Sequence, residues 1–543
     1  MIAVYITVLA LFIALALVPL LARWADALGL IDQPDERKIH QRPIPRVGGI
    51  AIAAGSLGAM LVWLPLLRPE ITGYLVGASV ILLFGVLDDR FNLDYRLKFA
   101  AQIAGVLMFI GIGGVQLVRV PFFLDATLPA WLGLPLTVLV MVGITNAVNL
   151  SDGMDGLAGG TSLITAAALG YLAYLGGDNQ VALVALALVG AIFGFLRYNT
   201  FPAQVFMGDA GSQFLGFSVA VLGMTVIEQS NTAISPLVPV LILGLPIIDT
   251  LYVMTRRIIA GGSPFMPDRR HLHHRLLDGG LSQYQALLVI YGLQLTLVGM
   301  ALGLRYASDW LLLVLFVAFV GVLLGLLNQW RSSHAKARAM AKKLDFVDPL
   351  VAYLKANGLV LRVAHHGLVY GVSLLFLSVA LWTPAVTPDI GWLAVLSTVM
   401  VLLALVPARL LPRKTIYRLV AFVLSVSVVY LAETEGVAGL SSATVVRVYL
   451  LLLAVFVALW LRFGFGGDFR FNTLDVLVIL LVAILPQMPL VKEFGIGIMI
   501  MEVLLLFYAC ELIESEREER WALFRAAMLV SLIIIAVRGI AQF

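Results

Sequence analysis

The stretch IAVYITVLALFIALALVPLL, residues 2–21, contains no charged side chain. A helix needs about 20 mostly apolar residues to cross the hydrocarbon core of a bilayer, so this stretch predicts a membrane-spanning helix. No basic leader precedes the run, and further apolar runs follow it at once. The sequence therefore favours a first transmembrane helix over a cleavable signal peptide.

Similar apolar runs recur along the chain as far as residues 528–537, and short polar loops separate them. The chain has 543 residues, of which only 13% are charged, and its mean hydropathy is +1.01. A soluble domain needs far more polar surface than this composition provides. The sequence therefore predicts an all-α, polytopic transmembrane helical bundle of about 18 spans.

The composition also argues against several other classes of protein. Cys510 is the single cysteine, which excludes an intramolecular disulfide and a CxxC metal site, and its apolar neighbours predict a packing role. The formal net charge of +4 is small for this length. Because the basic residues concentrate in particular loops, they indicate membrane orientation rather than nucleic-acid binding.

Five polar connections follow one another at intervals of two predicted spans, so they are predicted to share one face of the membrane. They are residues 26–46, 88–98, 146–160, 197–212 and 256–282. Taken together these connections are rich in Lys and Arg, whereas 176–180 and 228–235 carry neither. The positive-inside rule predicts that the basic face is cytoplasmic.

Carboxylates gather at the same predicted face, where apolar spans end. They are Asp88, Asp89, Asp152, Asp155 and Asp209. Acidic residues contribute little to membrane orientation and are costly near hydrocarbon, so their convergence predicts a functional site. Neighbouring carboxylates can bind Mg²⁺ or hold one raised pKa for proton transfer.

Polar and aromatic residues accompany these acids. Lys98 follows the Asp88–Asp89 pair within one loop and could neutralise phosphate oxygens. Asn149 lies one helical turn before Asp152, although helix capping would also account for such residues. Phe206 precedes the glycine-flanked Asp209 and could provide a flat surface on which a base stacks.

The fifth loop contains the sequence HLHHR at residues 271–275. His271, His273 and His274 are poorly spaced for one tetrahedral zinc centre, and no cysteine completes such a site. Imidazole and guanidinium groups suit anion recognition instead, at a diphosphate or a sugar. Carboxylates for Mg²⁺, cations for phosphates and a bilayer edge for a lipid acceptor together favour phosphoryl transfer.

Five motifs carry a specific resemblance to a known family. They are KIHQRPIPRVGG (38–49), DDRFNLDYRLK (88–98), NAVNLSDGMDGL (146–157), FMGDAGS (206–212) and HLHHR (271–275). In this order and spacing the chain resembles the polyprenyl-phosphate N-acetylhexosamine-1-phosphate transferases, of glycosyltransferase family 4 type. The loop with HLHHR looks closest to the WecA-like branch.

The resemblance implies an activity and its participants. It implies transfer of an N-acetylhexosamine-1-phosphate, GlcNAc-1-phosphate in the first instance, from a UDP-sugar to polyprenyl phosphate, with UMP as the leaving group. It implies Mg²⁺, with Mn²⁺ as an alternative, and a core of ten or eleven spans whose site faces the cytoplasm. The oligomeric state, for which a homodimer is one option, stays open.

The resemblance also implies roles for single residues. Asp209 and Asn149 are expected to hold Mg²⁺, Lys98 to contact a phosphate, and Asp155 and Phe206 to recognise uracil. Asp88 and Asp89 are expected to deprotonate or orient the lipid phosphate, with no choice between them, and Asp152 joins this catalytic set. The residues expected to meet the phosphates and sugar are His271, His273, His274 and Arg275, with His40 and Arg46 as further substrate-binding residues.

Two departures limit the resemblance. The DDxxD pattern of bacterial members ends here in Asn92, which puts an essential third acid in doubt. The similarity covers about residues 1–329, so the chain is predicted to contain a transferase core (1–329), a basic cytoplasmic linker (330–365) and a transmembrane extension (366–543). The extension is expected to be an accessory or partner-docking domain, with Glu433 in a loop and Glu511 and Glu514 in a solvated acidic helix end.

Two alternative functions remain at this point. Acids and glycines in membrane helices also occur in transporters, although coupling acids are expected near mid-bilayer and not at one face. An MraY-like enzyme that acts on the muramyl-pentapeptide nucleotide is the second alternative. The sequence leaves the sugar epimer undetermined, because a single hydroxyl contact decides such choices.

Overall fold

A computed structural model shows that the chain is built almost entirely from helices. It describes residues 2–33, 42–64, 68–119, 121–122, 127–261, 271–332, 359–405, 413–434, 443–463, 496–514 and 521–541. The chain divides into two compact units, Met1–Lys342 and Lys343–Phe543. The division falls within the predicted linker, although residues 330–332 and 359–365 at its two ends are helical.

The first unit contains thirteen described helices and one small hairpin. The strands β1 (Ile31–Asp32) and β2 (Ile44–Pro45) pair antiparallel, and a π-helical turn (Val226–Ser230) continues α8. The helices are α1 (Ile2–Leu28), α2 (Gly48–Trp63), α3 (Pro69–Phe91), α4 (Tyr95–Gly113), α5 (Ala130–Ser151), α6 (Leu157–Leu175), α7 (Asn179–Asn199), α8 (Gly208–Thr225), α9 (Val238–Ile242), α10 (Gly244–Ile259), α11 (Leu272–Asp278), α12 (Gln283–Gly303) and α13 (Asp309–Ser332).

The second unit contains six described helices. They are α14 (Leu359–Trp382), α15 (Pro388–Leu405), α16 (Arg413–Thr434), α17 (Ala443–Phe463), α18 (Ile496–Glu514) and α19 (Ala522–Ile540). Across the described parts of both units, twelve helices are long and apolar enough to cross a membrane. The predicted all-α, polytopic architecture is therefore confirmed. The figure of about 18 spans includes residues outside the described ranges and stays a prediction.

Helix α8 is the centre of the first unit. Every residue from Ala210 to Thr225 is buried, because α2, α3, α5 and α6 all pack against this helix. A helix that is apolar on all sides is stable in such a position, where no face has to meet water. Its buried Gln213 accepts a hydrogen bond from Gln102 of α4 at 3.1 Å. The N-terminus of α8, at Gly208, is the point around which the polar loops gather.

Glycines allow α2 to approach the start of α8. A Cβ atom on Gly49 would lie 2.2 Å from the backbone nitrogen of Gly211, so only glycine fits at this contact. The close approach lets the backbone N–H of Gly49 donate to the carbonyl of Met207 at 2.9 Å. The glycines of the motif at 38–49 therefore bring the first polar loop against the loop that carries Asp209.

Ion pairs also form at the opposite end of the bundle. Arg68 donates to Asp178 at 2.7 Å and pairs with Glu70, while Ser230 donates to Asp178 at 2.9 Å. Burial raises the pKa of the Asp178 carboxyl, but the hydrogen bonds from Arg68 and Ser230 outweigh it and leave the pKa below its usual value. These contacts fasten α3, α7 and the π-helical turn together.

In the second unit, ion pairs between helices hold two glutamates that the sequence analysis expected in a loop and in a solvated helix end. Glu514 is only 2% exposed and lies 3.4 Å from Arg418 of α16, so the prediction of a solvated acidic helix end is wrong at this residue. Glu433 belongs to α16 and not to a loop, and Arg447 of α17 contacts it at 2.7 Å. Cys510 is buried, as its apolar neighbours predicted.

Candidate active site

A cavity of about 1200 Å³ opens where the predicted polar loops of the first unit meet. Eight of its lining residues belong to the set that the sequence assigned to catalysis, substrate binding or a metal. They are Arg46, Asp89, Asn149, Asp152, Asp155, Phe206, Asp209 and His274. Residues from widely separated parts of the first unit therefore line one cavity, as the shared face of their loops predicted.

Asp89 is tied to the start of α8. Its two carboxylate oxygens accept the backbone N–H groups of Asp209 at 2.8 Å and Ala210 at 3.0 Å. These are among the first N–H groups of the helix, which have no partner within it, and their partial positive charge favours a carboxylate. Gly208 has a φ of +70°, and a Cβ atom there would lie 2.4 Å from Asp89. Asp89 thus fixes the backbone that carries Asp209.

Asp88 points to a different partner. The Lys98 ammonium lies 2.5 Å from one oxygen of Asp88 and 3.5 Å from one oxygen of Asp209. The other oxygen of Asp88 accepts the backbone N–H of Leu93 at 2.9 Å, which holds the turn between α3 and α4. Lys98 therefore bridges two carboxylates from different helices. Because it is shared, it reduces the repulsion between them.

Asn149 completes the polar group around Asp209. Its amide nitrogen donates to Asp209 at 2.8 Å and to the Ser212 hydroxyl at 3.1 Å. Asn149 lies in the last turn of α5 and Asp209 in the first turn of α8. The two residues that the resemblance assigned to Mg²⁺ are thus in direct contact.

Asn199 and Asp155 join two loops that both line the cavity. Asn199 accepts the backbone N–H of Gly156 and donates to the carbonyl of Val205, both at 2.9 Å. Asp155 accepts the backbone N–H of Ala203 at 2.9 Å. Phe206 follows, and its backbone N–H donates to the carbonyl of Pro45 at 2.8 Å. The predicted uracil-binding pair, Asp155 and Phe206, therefore lies on a braced part of the wall.

Arginines line the cavity beside the small hairpin. Arg46 forms an ion pair with Asp32 of β1, and its backbone N–H donates to Leu30 at 2.8 Å. Arg42 also lines the cavity. His40, the other predicted substrate-binding residue of this motif, lies outside the described residues.

The HLHHR segment distributes its side chains over three environments. His274 lines the cavity, while His273 is buried to 3% exposure against Gly153. Burial and the charge of the neighbouring His274 lower the pKa of His273 to about 4, so its imidazole is neutral at physiological pH. The Nδ1 atom of His271 lies 2.8 Å from Asp249, a residue of α10.

Arg275 lies away from the cavity. Its guanidinium is 5.0 Å from the centre of the Tyr252 ring and donates to Asn328 at 3.2 Å. The structure therefore does not bring Arg275 to the cavity, and its expected contact with phosphates or sugar stays a prediction. Here the contacts hold α11 against α10 and α13.

Asp152 follows the last residue of α5 and lines the cavity. Burial raises the pKa of its carboxyl to about 8, and the nearby charges of Asp209, Asp155 and Asp89 act in the same direction. The carboxyl is therefore protonated at neutral pH when no cation is bound, and it can donate a hydrogen bond.

This raised pKa predicts a pH-dependent stability. An unfolded aspartate titrates near pH 3.9, whereas the folded Asp152 keeps its proton to about pH 8. The folded state thus binds more protons across this window, and stability falls as the pH rises through it. We expect Asp152→Asn to remove this fall, so that its melting temperature exceeds that of the wild type increasingly from pH 5 to pH 9.

The measurement is thermal unfolding of both proteins in detergent with a chelator, because a bound cation would favour the charged carboxylate. A constant difference in melting temperature across this pH range would contradict the prediction.

The residues around Asp209 suit a hard cation. The Asp209 side chain is 33% exposed, and the amide of Asn149 lies beside it, so oxygen ligands of the kind that Mg²⁺ prefers are available. Within the described residues, no group of three or more His, Cys, Asp or Glu side chains is arranged to hold a metal. Mg²⁺ commonly takes one or two carboxylates and completes its shell with water and substrate phosphates. The site fits that mode of binding.

Asp249 is the main residue of this region that the sequence analysis did not find. It belongs to no motif and stands alone within the apolar segment LILGLPIIDTLYV at 241–253. An ionisable residue within an apolar segment is itself a signal of a functional position, and this signal could have identified Asp249.

The fold and the cavity define a multi-pass membrane protein whose site combines carboxylates, an amide and cations suited to phosphate groups. Residues 71–227 match the family model described as glycosyl transferase family 4. The chain is 37% identical over 329 residues to a probable undecaprenyl-phosphate N-acetylglucosaminyl 1-phosphate transferase of Bacillus subtilis. This match covers 59% of this chain and 92% of that protein.

Two further relatives each match about half of the chain. An undecaprenyl-phosphate alpha-N-acetylglucosaminyl 1-phosphate transferase of Escherichia coli is 32% identical over 309 residues, or 54% of this chain and 82% of that protein. A decaprenyl-phosphate N-acetylglucosaminephosphotransferase of Mycobacterium tuberculosis is 38% identical over 299 residues, or 49% and 74%. The chain belongs to the polyprenyl-phosphate N-acetylhexosamine-1-phosphate transferases of glycosyl transferase family 4, and the predicted WecA-like resemblance is confirmed.

Proposed function

We propose that the chain transfers N-acetylglucosamine-1-phosphate from UDP-N-acetylglucosamine to a polyprenyl phosphate, such as undecaprenyl phosphate, and releases UMP. The observation that carries this proposal is the position of Lys98, whose ammonium bridges Asp88 and Asp209 beside the cavity. A shared cation among carboxylates suits a reaction in which phosphate charge is held and redistributed. The names of all three relatives refer to N-acetylglucosamine, which favours this sugar.

The proposed mechanism assigns a separate task to each carboxylate. Asp209 and Asn149, which are in direct contact, would hold the cation, and a bound cation would supply positive charge for the diphosphate. Asp89 keeps Asp209 in place through the N-terminus of α8. Asp88, whose Oδ2 atom contacts the Lys98 ammonium, is the better candidate to orient the lipid phosphate or take its proton. Arg42, Arg46 and His274 are placed on the cavity wall to contact anionic groups.

The donor nucleotide is assigned to the braced wall. Asp155 and Phe206 lie on adjoining loops, and an acid beside an aromatic ring suits a base that is both stacked and hydrogen-bonded. Asp152 lines the same cavity, where its carboxyl group can form a hydrogen bond with a sugar hydroxyl in either protonation state. The lipid acceptor reaches the site from the bilayer, on the face proposed to be cytoplasmic.

The test is UMP release by purified full-length protein in detergent. We expect release from UDP-N-acetylglucosamine that requires both polyprenyl phosphate and Mg²⁺. Release only from the muramyl-pentapeptide nucleotide would move the chain to an MraY-like activity. Movement of labelled solute across a sealed vesicle without UMP release would favour a transporter and contradict the proposal.

The second unit is proposed to be accessory to this reaction. All three relatives match fewer than 330 residues of this chain, and the proposed site lies within Met1–Lys342. We expect a protein truncated after Lys342 to retain lipid-dependent UMP release. Loss of this release in a truncated protein whose melting curve remains cooperative would show that the second unit takes part in catalysis.

A further inference from the structure

Asp249 makes two contacts with the segment that carries the histidines. Its Oδ2 atom lies 2.8 Å from Nδ1 of His271, and its Oδ1 atom accepts the backbone N–H of Leu272 at 2.7 Å. The Asp249 and His271 side chains are only 12% and 8% exposed. A carboxylate in an apolar helix is costly unless it is paired, and such residues usually have a function. We therefore expect the pair of Asp249 and His271 to have one.

The chemistry of the contact between Asp249 and His271 indicates which ring nitrogen of His271 carries a hydrogen. A carboxylate only accepts hydrogen bonds, so the Nδ1 atom of His271 carries the hydrogen and the Nε2 atom faces the other way. Leu272 is the first residue of α11, and its N–H has no acceptor within the helix. One carboxylate therefore sets the tautomer of His271 and anchors the start of α11.

The position of α11 in turn determines part of the cavity wall. His274, Leu277 and Asp278 of this helix line the cavity, and His273 packs against Gly153 beside Asp152. Arg275 holds the other side of the helix through Tyr252 and Asn328. Asp249 thus contacts the N-terminal end of α11, directly before His273 and His274.

We propose that Asp249 is a positioning residue of the transferase, which holds His271 in its Nδ1–H tautomer and sets α11 so that His274 lines the donor cavity. This proposal rests on the proposed function. It adds a residue that lies in none of the five motifs and that acts through His271.

Asp249→Asn separates the two contacts of the carboxylate. With its oxygen towards the N–H of Leu272, the amide places its NH₂ group against Nδ1 of His271 and forces the proton to Nε2. The opposite orientation would set the NH₂ group against the N–H of Leu272, two donors face to face. The first orientation is favoured. The variant therefore keeps the hydrogen bond to the N–H of Leu272 at the start of α11, but His271 changes from its Nδ1–H tautomer to its Nε2–H tautomer.

We expect Asp249→Asn to lower kcat/KM for UMP release by about 10- to 100-fold, by analogy with the cost of losing a group that orients a metal-bound histidine. The pH profile of kcat/KM should also change shape, while the melting temperature stays near that of the wild type. In a His271→Ala background the same substitution should change kcat/KM by less than about twofold, because the two residues act as a unit. Asp249→Glu, which keeps both acceptors, should restore part of the activity.

Asp309 provides a matched control. It also pairs with a side chain, Ser235, and with a backbone N–H, that of Phe122 at 2.6 Å, but it does not line the cavity. We expect Asp309→Asn to lower the melting temperature and leave kcat/KM and its pH profile near the wild-type values. This pattern is what a structural carboxylate gives, and it is opposite to the pattern expected for Asp249→Asn.

Several outcomes would overturn the proposal. Wild-type kcat/KM in Asp249→Asn would do so, as would an equal loss in the His271→Ala background, because the carboxylate would then act without His271. If Asp249→Asn does not fold, the activity of His271→Ala provides the test. Wild-type kcat/KM in His271→Ala would overturn the proposal, because the residue through which Asp249 is proposed to act would then be dispensable. If the wild-type protein itself releases no lipid-dependent UMP, the proposed function fails, which is distinct from an effect confined to the variants.

Discussion

Asp209→Ala is expected to lower kcat/KM for lipid-dependent UMP release by about 10²- to 10³-fold, the cost of removing one group that stabilises transition-state charge. Asp209 contacts both Lys98 and Asn149, so its carboxylate is the point where the amide and the ammonium meet. Without it, Lys98 loses one of its two anionic partners, and the cation loses its proposed carboxylate ligand. The measurement is UMP release as a function of the Mg²⁺ concentration.

A control separates this effect from a loss of folding. Asp178 is equally well paired, with Arg68 and Ser230, but lies at the opposite end of the bundle. Asp178→Ala should lower the melting temperature and leave the dependence on Mg²⁺ unchanged. Unaltered kcat/KM in Asp209→Ala would remove the basis of the proposed site.

Lys98→Met is the second substitution expected to have a large effect. It leaves the carboxylates of Asp88 and Asp209 without the cation they share. Removing one partner from a buried ion pair typically costs about 3 to 5 kcal/mol of stability, and Lys98 is partly exposed, at 27%, so we expect a smaller loss. We expect kcat/KM to fall by about 10²-fold or more, because a phosphate loses the ammonium that would neutralise it.

A double substitution distinguishes stability from catalysis here. Asp88→Asn added to Lys98→Met removes one of the two repelling charges, so the melting temperature should recover while UMP release does not. Lys98→Arg, which keeps the charge with a different shape, should retain part of the activity. Recovery of activity together with stability in the double variant would mean that Lys98 has only a structural role.

Much of the site was predictable because its residues lie where helices begin or end. Asp88, Asn149 and Asp209 occur in polar loops that follow one another at intervals of two spans, and this parity places them on one face. The contact between Asn149 and Asp209, at 2.8 Å, agrees with that prediction. The environment of the charged side chains in the second unit was predicted less well. Glu514 is buried against Arg418, and this depends on how two helices pack.

The sequence by itself determined the class of the fold, the membrane location and the residues that could bind phosphates, because apolar length and motif spacing are properties of the linear chain. It could not distinguish Asp88 from Asp89, which are adjacent and identical. Successive side chains on a helix point about 100° apart, so these two meet different neighbours, Lys98 in one case and the N-terminus of α8 in the other. Only the tertiary structure decided this division, and only it paired Asp249 with His271, because both depend on which helices pack together.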